Sequence, residues 1–278
     1  MKVKLAKNAG ACYGVQRALE MANEAASLTG EAHTLGPLIH NPVVVAQLEQ
    51  RGVRVADDVA DVASGTVIIR SHGVTPEVRD EIAARGLPTI DATCPHVLRA
   101  QKAAADLARQ GCHVIVVGEA GHPEVLGIAA YACREGADVA VASSADDVPG
   151  KLQAPVGVVV QTTQKREILD AVVEAIRAQG VEPIVKDTIC TATRERQDET
   201  AQLAEAVDAM VVLGGRNSSN TTRLTEICAA RCERTFHVES PAELSAEWFE
   251  GCDVVGVTAG ASTPEDQIAA LVAVLEQL

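Results

Sequence analysis

The sequence predicts an α/β protein built on mostly parallel sheets. Three observations carry that expectation. Short β-branched apolar runs recur along the chain, amphipathic stretches of helical length separate them, and each run ends in a polar turn. The runs are Thr66-Val67-Ile68-Ile69-Arg70, His113-Val114-Ile115-Val116-Val117, Val156-Gly157-Val158-Val159-Val160, Met210-Val211-Val212-Leu213 and Val254-Val255-Gly256-Val257. Continuous runs of this kind read as strands covered on both faces. The helical candidates are 15–28, 76–85, 96–110, 165–179, 194–205 and 264–278. Strand and helix in alternation argue for parallel sheets.

The units distribute evenly along the chain. Two or more βα units fall between Cys12 and Cys94, again between Cys94 and Cys190, and again from Cys190 onward. We expect three similar α/β lobes spanning residues 12–94, 95–189 and 190–278, with residues 1–11 packing alongside the third. No linker is rich in Pro, Gly or Ser, so the lobes are expected to pack together.

Composition narrows the function. Only 2% of the 278 residues are aromatic, so Val, Ala, Leu and Ile must build the core, and stacking platforms for single-stranded nucleic acid cannot be assembled. A net charge of −14 repels a phosphate backbone, which argues against nucleic-acid partners. No apolar run reaches the ~18 residues of a membrane span, and Met1 leads into Lys2-Val3-Lys4-Leu5 without a signal core. A cytoplasmic protein is expected. Eight cysteines in a reducing compartment point toward metal or redox use for some of them.

Three cysteines stand out. Cys12, Cys94 and Cys190 lie far apart, each just past a strand-like run and each in a tight polar turn: Ala9-Gly10-Ala11-Cys12-Tyr13-Gly14, Asp91-Ala92-Thr93-Cys94-Pro95 and Asp187-Thr188-Ile189-Cys190-Thr191. Their separation excludes a local metal knuckle. It suggests one thiolate from each lobe at a shared centre, with a metal's fourth position left open for chemistry. Cys112, Cys133, Cys228, Cys232 and Cys252 are read as small buried hydrophobes. Cys228 and Cys232 share a helix face but have no third or fourth ligand nearby.

Ligands of open α/β sheets bind beyond the carboxyl ends of the strands. There the chain places Gly36-Pro37-Leu38-Ile39-His40-Asn41-Pro42, Ser71-His72-Gly73, Gly121-His122-Pro123-Glu124, Gln161-Thr162-Thr163, Asn217-Ser218-Ser219-Asn220 and Thr258-Ala259-Gly260-Ala261-Ser262. Taken singly, each has a plain reading. His40 caps a helix near Pro42, His72 is a turn residue, and Ser218 and Ser262 are helix caps. Taken together, they form an array of imidazoles, hydroxyls and amides suited to a phosphate or diphosphate. Glu124 reads either as a solvated first-turn residue favoured by the helix dipole or, beside a redox centre, as a proton donor.

These motifs, with Ile189-Cys190-Thr191-Ala192-Thr193, run in order along nearly the whole chain and closely resemble the 4-hydroxy-3-methylbut-2-enyl diphosphate reductases. Members of that family complete the methylerythritol phosphate route to isoprenoids. The resemblance implies a trefoil of three lobes around a central cavity. It implies one 4Fe–4S cluster on Cys12, Cys94 and Cys190, which air exposure would degrade to 3Fe–4S. It implies that His40, His72, His122, Ser218, Ser219, Asn220 and Ser262 bind the substrate diphosphate. Thr162 and Glu124 would meet the substrate hydroxyl, with Glu124 delivering the proton. Ferredoxin or flavodoxin would supply electrons, since no nucleotide-binding glycine turn is complete in Gly214-Gly215 or at Gly118. One departure is local: many members have Phe where Ala11 stands and a small residue where Tyr13 stands. The alternatives are another open-site iron–sulfur hydro-lyase, for which Arg would be expected at the substrate carboxylate, and a non-catalytic iron–sulfur sensor.

Overall fold

The computed structural model describes residues 1–29 and 31–278. The chain opens with β1 (Lys2–Leu5) and α1 (Tyr13–Thr29). Then come β2 (Ala32–Leu35), α2 (Pro42–Gln50), β3 (Val53–Ala56), β4 (Thr66–Ile69), α3 (Pro76–Ala84) and β5 (Thr89–Asp91). They are followed by α4 (Pro95–Arg109), β6 (His113–Val117), α5 (Pro123–Arg134), β7 (Val139–Ala142), β8 (Val156–Val160), α6 (Arg166–Arg177) and β9 (Ile184–Lys186). The last are α7 (Thr191–Ala204), β10 (Ala209–Leu213), α8 (Ser219–Ala229), β11 (Thr235–Val238), β12 (Val254–Ala259) and α9 (Glu265–Leu275).

Among the described residues these strands form three four-stranded sheets, with orders β3-β2-β4-β5, β7-β6-β8-β9 and β11-β10-β12-β1. Every pairing is parallel. The three orders are one topology used three times. The third sheet recruits the chain's first strand, with Lys2 opposite Val254 and Leu5 opposite Val257. All five apolar runs are central strands of these sheets. The strands that the sequence left unassigned are the edges β1, β3, β5, β7, β9 and β11, and the central β2.

Two compact units are present. One comprises residues 1–16, 40–44 and 191–278, and holds the sheet β11-β10-β12-β1. The other comprises residues 17–39 and 45–190, and holds the other two sheets. In the latter, alternation along the central strands feeds two cores. Val114, Val116 and Val159 pack with Ala104, Leu107, Val125 and Ile128 from α4 and α5. Ile115, Val117, Val158 and Val160 pack with Leu169, Val172 and Ile176 of α6. Burying each such side chain contributes roughly 1.5–3 kcal/mol. In the first unit, Val211, Leu213 and Val257 meet Ile268, Leu271 and Leu275 of α9, while Met210 and Val212 meet Leu224 and Cys228 on the other side.

Candidate active site

Each of the three cysteines closes an edge strand and opens a helix. Cys12 follows β1 and precedes α1, Cys94 lies between β5 and α4, and Cys190 between β9 and α7. A common backbone contact fixes each one. The Cys94 N–H donates to the Ser71 carbonyl (2.9 Å), the Cys190 N–H to that of Thr162 (3.1 Å) and the Cys12 N–H to that of Ala261 (3.1 Å). Each acceptor sits two residues past the neighbouring central strand: β4, β8 and β12. None of the three cysteines is in a disulfide, and all are half-buried. A helix N-terminus favours negative charge, which suits a thiolate ligand.

Within the larger unit, functional candidates run in a continuous series from Cys94 to Cys190. Ser71 holds Cys94, and His72 follows it. The His72 ring meets the His122 ring edge to face, with centroids 5.5 Å apart. His122 is the N-cap of α5: its Nδ1 accepts the Glu124 N–H at 3.1 Å, which leaves Nε2 to carry the proton. Pro123 at the first helical position needs no hydrogen-bond partner, so the cap is complete. Glu124 is 2% exposed. Its carboxyl accepts the Thr162 N–H (2.6 Å) and meets the Thr162 hydroxyl (2.9 Å). Burial pushes this carboxyl up to about 7, against the opposing hydrogen bonds from Thr162. Thr162 then leads to Cys190 through its carbonyl.

Within the smaller unit, a second set gathers beyond β10 and β12. Ser262 Oγ donates to the His40 carbonyl (3.2 Å), and the Ser262 carbonyl accepts from Asn41 Nδ2 (2.9 Å). Gly215 lies so close that a Cβ there would stand 2.6 Å from the His40 carbonyl oxygen. Ser218 is the N-cap of α8, accepting the Thr221 N–H, and Ser219 and Asn220 form the first turn. All three are buried, and neither side-chain amide atom of Asn220 has a hydrogen-bond partner among the described residues. A buried amide without partners costs about 1–3 kcal/mol, a cost that a polar group entering the site would offset.

Parallel sheets, strand-end polar residues and a buried acid define an α/β enzyme. A profile of the LytB protein family matches residues 3–276, and the chain belongs to that family. It is 50% identical over 265 residues to the 4-hydroxy-3-methylbut-2-enyl diphosphate reductase of Geobacter sulfurreducens, covering 95% of this chain and 93% of that one. It is 49% identical to the enzyme of that name from Trichlorobacter lovleyi, with 95% and 94% covered. A solved (E)-4-hydroxy-3-methyl-but-2-enyl diphosphate reductase, described as the terminal enzyme of the non-mevalonate pathway, superimposes with TM-score 0.73 at 39% identity over 100% of both chains. The E-1-hydroxy-2-methyl-but-2-enyl-4-diphosphate reductase of Plasmodium falciparum gives TM-score 0.91 at 27% identity, covering 99% of this chain and 87% of that one.

Several local expectations change. Asn41, not His40, caps α2, with Oδ1 accepting the Val43 and Val44 N–H groups. Pro264, not Ser262, occupies the N-cap position of α9. Cys133 is exposed rather than buried, because the helix α5 turns it outward near its end; Cys112, Cys228, Cys232 and Cys252 are buried. The sequence reading missed Arg79, Arg166, Arg196 and Glu199, which hold the cysteine turns. The repeated Asp at three positions before Cys94 and Cys190 was the available signal.

Proposed function

We propose that this chain reduces 4-hydroxy-3-methylbut-2-enyl diphosphate to isopentenyl and dimethylallyl diphosphate, with loss of water. The observation that carries the reading is the buried Glu124–Thr162 pair, one backbone contact from Cys190 and one N-cap from His122. The overall change takes up two electrons and two protons. One proton leaves with the hydroxyl as water and the other ends on an allylic carbon.

Cys12, Cys94 and Cys190 would hold an iron–sulfur cluster, of the 4Fe–4S type with one iron free of protein ligand. Three soft thiolates, none tied in a disulfide, are the donor set such a cluster takes. When bound, the cluster supplies single electrons and a Lewis-acidic position. The remaining work belongs to the chain. His40, His72, His122, Ser218, Ser219, Asn220 and Ser262 bind the diphosphate, whose oxygens accept from Asn220 Nδ2. Clamping that end orients the allyl chain. With its carboxyl near 7, Glu124 is substantially protonated at neutral pH, as a general acid requires. The neutral acid donates to Thr162 Oγ1, and the Thr162 hydroxyl then donates to the leaving oxygen.

Electrons come from ferredoxin or flavodoxin, one at a time. Eight cysteines, none in a disulfide, fit a reducing, cytoplasmic location. No helix among the described residues is long and apolar enough to cross a membrane.

The test is anaerobic turnover of the allylic diphosphate by protein reconstituted with iron and sulfide. Glu124→Gln is expected to lower kcat by about 10²–10⁴-fold with diphosphate binding retained. Cys94→Ser is expected to lose iron as well as turnover. Wild-type turnover by both variants would sink the reading.

A further inference from the structure

The turns that carry Cys94 and Cys190 share more than their backbone contact. In each, an aspartate three residues before the cysteine folds back on the turn. Asp91 Oδ1 accepts the Thr93 N–H at 2.9 Å, and Asp187 Oδ1 accepts the Ile189 N–H at 3.1 Å. In each, the other oxygen is held by an arginine from the start of the preceding helix. Arg79 of α3 donates through Nη2 to Asp91 Oδ2 at 2.7 Å, and Arg166 of α6 donates through Nη2 to Asp187 Oδ2. Two turns nearly a hundred residues apart thus carry the same three-part latch of amide, carboxylate and guanidinium. The Cys94 turn is also gripped by Arg17, which donates to the Thr93 carbonyl at 3.2 Å.

The Cys12 turn has Ala9 where the others have aspartate. It is held by a different pair with the same chemistry. Arg196 of α7 is buried and donates to the carbonyls of Asn8 (2.8 Å) and Gly10 (2.7 Å). Glu199, one turn further, accepts the N–H groups of Asn8 (2.8 Å) and Lys7.

The arginines and carboxylates of the first two latches are partly exposed, with side chains between 28% and 42% accessible. Ion pairs at such exposure contribute little to global stability. What they do fix is the path of the backbone into the cysteine. Partners that orient a metal ligand tune its affinity without touching the metal.

We propose that Asp91 with Arg79, Asp187 with Arg166, and Glu199 with Arg196 are positioning residues, each latching one cysteine turn in the form that receives iron. The proposal rests on the cluster reading above, but its test does not need a cluster.

The cluster-free chain, kept reduced and anaerobic, is treated with iodoacetamide, and each cysteine's rate is followed by peptide mass spectrometry. Asp91→Asn is expected to change the Cys94 rate alone, Asp187→Asn that of Cys190 alone, and Glu199→Ala that of Cys12 alone. Arg166→Gln should reproduce Asp187→Asn, and Arg166→Lys, which keeps the ion pair, should restore most of the wild-type rate. After reconstitution, iron release to a chelator should be about tenfold faster in each latch variant. Equal changes at all three cysteines, or none, would overturn the proposal and leave the latches as ordinary structure. Failure of the wild type to take up iron would overturn the cluster reading alone, because the crossed alkylation pattern would still decide whether the latches position the thiols.

Discussion

Glu124 joins stability to catalysis. Its folded carboxyl titrates near 7 against an ordinary value of 4.5, because burial outweighs the hydrogen bonds from Thr162. A group raised on folding stabilises the fold below its unfolded value and loses that contribution as pH rises through the folded one. The urea midpoint should therefore fall between about pH 4.5 and 7, by the equivalent of roughly 3 kcal/mol. Glu124→Gln stays neutral, so its profile across that window should be flatter. Turnover should decline at higher pH, as the folded acid loses its proton on rising through about 7. A wild-type midpoint that holds level across the window would show that the carboxyl is not buried as a neutral acid. Asn220 makes the opposite bargain, since its unpartnered amide is a cost in the free chain. Asn220→Leu is expected to raise KM about tenfold or more while the thermal midpoint of the free protein holds or rises. A drop in that midpoint without a change in KM would assign the amide a structural role.

The elements divide sharply in how they can be read. Central strands are buried on both faces, so their sequences are apolar throughout: Val156-Gly157-Val158-Val159-Val160 has no exposed position. Most edge strands carry no such signature, although β7, Val139-Ala140-Val141-Ala142, is apolar throughout. Ile184-Val185-Lys186 is three residues long and exposed throughout, and Thr89-Ile90-Asp91 is as short and largely polar, so neither makes an apolar run of strand length. The central β2 was hidden for another reason. Ala32-His33-Thr34-Leu35 is fully buried yet half polar, which breaks the apolar run. The candidate site residues can be picked out in the sequence because they cluster in short turns whose Gly, Pro and Cys spacing survives in one dimension. The arginine latches were not, because the contact that matters joins a helix start to a turn 12 or 21 residues away. One packing contact is testable at this scale. A Cβ on Gly157 would lie 2.8 to 3.0 Å from three side-chain atoms of Leu107, so α4 sits directly on β8 through that glycine. Gly157→Ala should lower stability by about 1–3 kcal/mol, and Leu107→Ala in the same background should recover part of it. Additive losses in the double variant would contradict the contact.

Across the whole molecule the thiols fall into classes set by depth. Cys133 is exposed, the three cysteine-turn thiols are half-buried, and the remaining four are buried. Burial, with the neighbouring Cys232, pushes the Cys228 thiol up to about 12. Alkylation of the native cluster-free chain at neutral pH is expected to reach Cys133 early and Cys228 last, with full labelling after denaturation. Early modification of Cys228 would mean that the core between α8 and β10 opens readily. The sequence could not order these thiols, because a short apolar context surrounds Cys133 and Cys228 alike.

The pairing of β1 with β12 has a consequence for biosynthesis. The ribosome delivers Lys2 long before its partner Val254. Both sheets of the larger unit lie between residues 32 and 186, so their ladders can close on the growing chain. The Cys12 turn must wait, since its supports are Ala259, Ala261 and the α7 pair. A truncated chain ending before β12 would present Cys94 and Cys190 in finished turns but leave Cys12 on an unpaired strand.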